Sequence, residues 1–98
     1  MPAYIEKFIS ELNIKDSKVA VSGLIINKDE NLIFIDDKTG AIAISIQTDL
    51  PINTFVRVLG YLMTQNKEFQ IQGHVIQNLN KVNKKLYNKI KLSMNQKQ

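Results

Sequence analysis

Lys18-Val19-Ala20-Val21-Ser22-Gly23-Leu24-Ile25-Ile26 is the stretch on which the fold turns. Val19, Val21, Gly23 and Ile25 alternate with Ala20, Ser22, Leu24 and Ile26, and the richness in β-branched residues makes this a strand of about ten residues. Gly23 in its middle predicts a bulge or sharp bend, the device that lets one long strand turn the corner of a barrel. Downstream, the polar turn Asn27-Lys28-Asp29-Glu30-Asn31 leads into a second strand, Leu32-Ile33-Phe34-Ile35-Asp36. Asp37-Lys38-Thr39-Gly40 has the Asp and Gly of a tight hairpin, after which Ile42, Ile44 and Ile46 alternate with Ala41, Ala43 and Ser45 as a third strand. Thr48 to Asn53, broken by Pro51, is a connection with room for one helical turn. Thr54 to Thr64 alternates again, with Gly60 at a second bend, and beyond the polar loop Gln65-Asn66-Lys67-Glu68 a fifth strand runs from Phe69 to about Leu79.

Both flanks read as helical. Tyr4, Ile5, Phe8, Ile9 and Leu12 recur at helical spacing between Pro2 and Asn13, with Pro2 suited to a first helical turn. At the other end Val82, Leu86, Ile90 and Met94 repeat every four residues, flanked by Leu79 and Tyr87. The expected architecture is all-β with flanking helices: a five-stranded Greek-key OB-fold barrel over 17–79, an N-terminal helix over 2–13 and a C-terminal helix over 81–95, all in one domain over 1–98. An SH3-like barrel suits the long strands and terminal helices less well, and an open α+β sheet shares the pattern.

Composition agrees with a small folded domain. Of the 98 residues, 44% are hydrophobic and 22% charged, near the globular average. There is no cysteine, which excludes disulfides and thiol catalysis and removes the commonest structural zinc ligands. No apolar run approaches the ~20 residues that cross a bilayer, and the first residues lack the basic start and apolar core of a secretory signal. The expectation is an intracellular protein. Charge is uneven: residues 1–68 hold seven Lys/Arg against nine Asp/Glu, whereas residues 69–98 hold six Lys and no acid. That basic end could attract phosphate backbones or form a solvated helix face.

Four runs together resemble a known family: Val19 to Ile25, Phe34-Ile35-Asp36-Asp37-Lys38-Thr39-Gly40-Ala41-Ile42, Phe55-Val56-Arg57-Val58-Leu59-Gly60 and Ile71-Gln72-Gly73-His74-Val75-Ile76. Their order and spacing, ending in Lys84-Lys85-Leu86-Tyr87-Asn88-Lys89-Ile90, are similar to the OB-fold of the middle and small subunits of replication protein A and of their Stn1- and Ten1-like telomeric relatives. The resemblance covers about residues 17 to 95. It implies a barrel that binds or supports single-stranded DNA, C-terminal helices that assemble a complex, and other OB-fold subunits or a homo-oligomer as partners. Its place would be the nucleus in a eukaryote, or the cytoplasm and nucleoid in a prokaryote.

The residues themselves assign turn-shaping roles to Asp36, Asp37, Thr39 and Gly40, and too few converging oxygens for a Mg²⁺ or Ca²⁺ site. His74 is the only histidine, and no phosphate-loop, nucleophile-elbow or zinc-protease motif occurs, so no catalytic residue, metal or cofactor is assigned. An OB-fold ligand lies across strands two and three. With Ile33, Ile35, Ile42, Ile44 and Ile46 inward, Leu32, Phe34, Ala41, Ala43 and Ser45 face it, a thin platform with one aromatic. Candidate nucleic-acid contacts are Phe34 and Phe69 for stacking and Lys28, Lys38, Arg57 and Lys67 for phosphates, with Asp29, Glu30, Asp36, Asp37 and Glu68 close by in sequence. Family binders often carry aromatics just after strand three and in the loop between strands four and five, where this chain has Gln47 or Thr48 and Gln65. Weak binding by the isolated chain follows, together with an assembly role through Val82, Leu86, Tyr87, Ile90 and Met94. A stand-alone module for single-stranded DNA or RNA, and an OB domain used for protein contacts alone, are the competing readings.

Overall fold

Alternating β-branched residues give long strands here because half of each strand can be buried against the opposite wall of a closed sheet. The computed structural model describes residues 3–80, which form β1 (Ile5–Glu6), β2 (Lys18–Lys28), β3 (Leu32–Asp36), β4 (Ala41–Ser45), β5 (Phe55–Gln65) and β6 (Glu68–Asn78), with a 3-10 turn at Ile9–Glu11. The hydrogen-bonded order is β1-β2-β3-β4-β6-β5, and an additional β2–β5 pairing closes the barrel.

β2 serves two neighbours in succession. Lys18 through Leu24 pair with β5, in register from Lys18↔Tyr61 to Leu24↔Phe55, and from Leu24 onward the strand pairs with β3. The handover falls beside Gly23, where an added Cβ would lie 2.6 Å from the Asp36 carbonyl oxygen, so only glycine admits the crossing strand. Closure on the far side comes from a parallel pairing of β4 with β6, Ala43↔Gln70 to Ser45↔Gln72. Val19, Val21, Ile25, Ile33, Ile35, Ile42, Ile44, Val56, Val58 and Ile71 fill the interior, each at most 5% exposed. Each such aliphatic side chain contributes about 1.5–3 kcal/mol on burial. The turn joining β5 to β6 has Asn66 at φ 53° and Lys67 at φ 68°, the paired left-handed conformation that matches the twist of a two-residue hairpin.

The five expected strands are β2 to β6. The expected N-terminal helix over 2–13 is not formed: its described part is the two-residue strand β1 followed by the 3-10 turn. β1 runs parallel to β2, Ile5↔Val19 and Glu6↔Ala20, and the Lys7 N–H donates to the Ala20 carbonyl at 3.0 Å. The Ile9 N–H is taken by Asp37 Oδ2 at 2.7 Å and the Ser10 N–H by Thr39 Oγ1 at 3.1 Å. A lone helix of this length is marginal in water, and here barrel acceptors capture its donors instead. The apolar stripe is still used, since Ile9 and Leu12 pack on the core. The connection after β4 forms no helical turn either; Lys28 Nζ holds its Thr48 and Leu50 carbonyls at 3.0 and 2.8 Å, and Asn53 turns it at φ 75°. The expected C-terminal helix over 81–95 lies outside the described residues.

Candidate nucleic-acid interface

The outward face of β3 and β4 follows from the pleat. Ile33 pairs with Ile44 and Ile35 with Ile42 inside the barrel, so Leu32↔Ser45, Phe34↔Ala43 and Asp36↔Ala41 face out. Two outward alanines in succession leave a shallow recess beside the Phe34 ring. It is an open groove of about 400 Å³ lined by Ile26, Asn27, Phe34, Ala41, Ala43 and Phe69, with Glu68 at its margin. A smaller recess of about 140 Å³ shares Ala43, Glu68 and Phe69 and continues to Gln65 and Asn66 at the β5–β6 turn.

Ile26 lines this groove at a bulge in β2. The β2–β3 register steps from Ile25↔Ile35 to Asn27↔Phe34, which leaves Ile26 unopposed and 46% exposed next to Phe34. Alternation sets Ile26 on the face opposite to Ile25, but no residue type in Ile25-Ile26-Asn27 announces the bulge, which brings Asn27 and not Ile26 opposite Phe34.

The six sequence-derived candidates separate. Phe34 and Phe69 both line the groove, although Phe69 is half-buried and also packs on the core. Lys38, at φ 73° in the β3–β4 turn, and Lys67, in the β5–β6 turn, are exposed. Lys28 is committed to the two carbonyls of the β4–β5 connection. Arg57 lies on the β5 side of the barrel, where Nε donates to Glu6 Oε1 at 2.6 Å and a terminal nitrogen to Gln77 Oε1 at 3.0 Å. The neighbouring carboxylates are largely used in shaping turns. Asp36 Oδ1 accepts the Lys38 N–H at 2.6 Å, and Asp37 Oδ1 accepts the Thr39 N–H at 2.9 Å together with its hydroxyl. Among the described residues no group of three His, Cys, Asp or Glu side chains converges as metal ligands do.

A second aromatic cluster has no signature in the sequence. Tyr61 and His74 meet edge to face at 4.6 Å between ring centroids, the Tyr4 hydroxyl lies 3.3 Å from His74 Nδ1, and Lys18 Nζ sits 5.7 and 5.8 Å from the Tyr4 and Tyr61 ring centres. These residues come from the N-terminal segment, β2, β5 and β6, so only the closed sheet brings them together.

No family model matches the chain, and no curated protein matches it in sequence. Solved structures do match in three dimensions. Telomere capping protein Ten1 from Saccharomyces pombe superimposes with a TM-score of 0.80 at 14% identity, over 98% of this chain and 100% of that one. A chain of the S. pombe Stn1–Ten1 complex also gives a TM-score of 0.80, at 12% identity over 97% and 94% of the two chains. A chain of a replication protein A heterotrimer bound to single-stranded DNA gives 0.58 at 16% identity, over 76% of this chain and 67% of that one. The chain has a five-stranded closed barrel of the OB-fold kind, and its fold is similar to those of these telomeric and replication proteins.

Proposed function

We propose that this chain is a non-enzymatic OB-fold subunit of a replication-protein-A-like complex on single-stranded DNA, acting in replication, repair or telomere maintenance and therefore nuclear in a eukaryote. The observation that carries the reading is the groove over β3 and β4: Phe34 and Phe69 line it, two alanines make room for a flat base, and it continues toward the turn that carries Lys67. Similarity to Ten1, to the Stn1–Ten1 complex and to the replication protein A heterotrimer supports the same reading, and names other OB-fold subunits as the kind of partner. Lys28 and Arg57 are engaged within the barrel, which leaves Lys38 and Lys67 as the phosphate contacts and makes binding by the isolated chain weak. Assembly then falls to 81–95, through Val82, Leu86, Tyr87, Ile90 and Met94.

Anisotropy titration of labelled oligo-dT tests the groove. Phe34→Ala removes one stacking face, and affinity should fall by about 1–3 kcal/mol, roughly 5- to 150-fold. Unchanged affinity rejects this face. The rival reading, an OB domain used for protein contacts alone, is favoured by the two engaged cations and predicts no oligo-dT binding with any variant.

A further inference from the structure

We infer that Glu68 sets the base preference of the groove over β3 and β4, which takes a base that presents an amino group, cytosine ahead of thymine; this rests on the nucleic-acid reading of that groove. Glu68 lines both the groove of about 400 Å³ beside Phe34 and the adjoining recess of about 140 Å³ at the β5–β6 turn. The floor of the groove is apolar, in Phe34, Ala41, Ala43 and Phe69. Such a floor holds a base by its face and is tolerant of which base it is. Discrimination falls to polar groups, and among the described residues Asn27 and Glu68 are the polar side chains that line the groove.

The two are complementary. Asn27 Oδ1 accepts the Lys28 N–H at 2.8 Å, which leaves the amide nitrogen of Asn27 as a donor. The Glu68 carboxylate, when ionised, only accepts. Among the described residues it forms neither an ion pair nor a hydrogen bond, whereas Asp36 and Asp37 hold N–H groups of their own turn and Glu6 holds Arg57. Cytosine answers such a pair with an amino group to donate and ring acceptors beside it. Thymine presents its one N–H between two carbonyl oxygens, which a carboxylate repels.

Charge gives the same direction. A carboxylate on this rim repels the phosphates of any bound strand within the ~8 Å reach of charge at physiological ionic strength. It lowers affinity for every sequence, and a base amino group that donates to it offsets the loss. Glu68 therefore supplies discrimination in place of strength. Because it is exposed, water competes for the same hydrogen bond and the preference is modest.

Anisotropy titration of the full chain with labelled oligo-dC, oligo-dT and oligo-dU of one length, at neutral pH, tests this. Oligo-dC should bind roughly 3- to 10-fold more tightly than oligo-dT, and oligo-dU, which lacks the thymine methyl group, should behave as oligo-dT. Glu68→Gln keeps the shape, removes the charge and adds a donor, so it should bring the ratio of the oligo-dC and oligo-dT affinities close to one, chiefly by strengthening oligo-dT. Glu30→Gln, at an exposed carboxylate that does not line the groove, should leave the ratio as it was. If Glu68→Gln disturbs the melting transition, Glu68→Ala must erase the same ratio. A carboxylate that only repelled phosphates would, on removal, strengthen all three oligonucleotides alike and leave the ratio standing, and that result overturns the inference. Equal affinities for oligo-dC and oligo-dU in the unaltered chain overturn it too, while the groove remains a nucleic-acid site. Absence of binding to all three overturns the nucleic-acid reading and this inference with it.

Discussion

The β3–β4 and β5–β6 hairpins obey the same alternation, yet their outer faces differ in relief and in chemistry. Outside β3 and β4, Ala41 and Ala43 sink the surface around Phe34, and acidic side chains stand at the margins in Asp36 and Glu68. Outside β5 and β6, Tyr61, Met63 and Val75 are exposed, with Lys18 beside the Tyr61 ring and Arg57 and Glu68 toward the two ends of the ribbon. A recess flanked by polar groups offers room to a flat ligand, whereas the β5–β6 face presents large exposed side chains instead of a recess. Side-chain size at outward positions, which the core does not constrain, makes this difference. One barrel can therefore carry two chemically different outer faces without altering its interior.

The comparison breaks most completely if the shared core is opened. Ile44 is fully buried, faces Ile33 and lies against the strand that carries Gly73, so Ile44→Ala should cost about 2–5 kcal/mol in urea unfolding and weaken both faces together. A substitution at the bend separates them. A Cβ at Gly60 collides with the Gln72 carbonyl at the point where β5 and β6 cross, and Gly60→Ala should destabilise by about 1–3 kcal/mol. Oligo-dT affinity under native conditions should change less, because Phe34 and Ala43 are on other strands. The Phe34→Ala loss of about 1–3 kcal/mol in oligo-dT affinity sharpens the contrast in the other direction, since Phe34 faces out of β3 and urea unfolding should register the change less than Ile44→Ala. The smallest effect belongs to the two turn lysines. Lys38→Gln with Lys67→Gln should lower the slope of log affinity against log salt by ~0.7 for each phosphate that is no longer neutralised, and an unaltered slope returns both ammonium groups to solvent.

Site legibility followed the range of the interactions involved. Phe34 was readable as outward because Ile33 and Ile35 on either side of it must be inward, a rule that acts between adjacent residues. At Ile26 the same rule gives the outward side but not the bulge that sets Asn27 opposite Phe34. It was also silent about Lys28 and Arg57, which look like phosphate contacts in one dimension. One ammonium is fixed by carbonyls 20 and 22 residues away and the guanidinium by a carboxylate 51 residues away.

By itself the sequence determined the five long strands, the two glycine bends and the inward isoleucines, because β-propensity, alternation and turn chemistry act over a few residues. Tertiary structure alone decided that residues 5–11 form a strand and a 3-10 turn in place of a helix, since Ala20, Asp37 and Thr39 capture backbone donors that a short helix would have used internally. It likewise assembled Tyr4, Lys18, Tyr61 and His74, whose outermost members stand 70 residues apart. Closure of the sheet brings such residues together at little added cost once the core is buried, and no local pattern records where a closed barrel will meet itself.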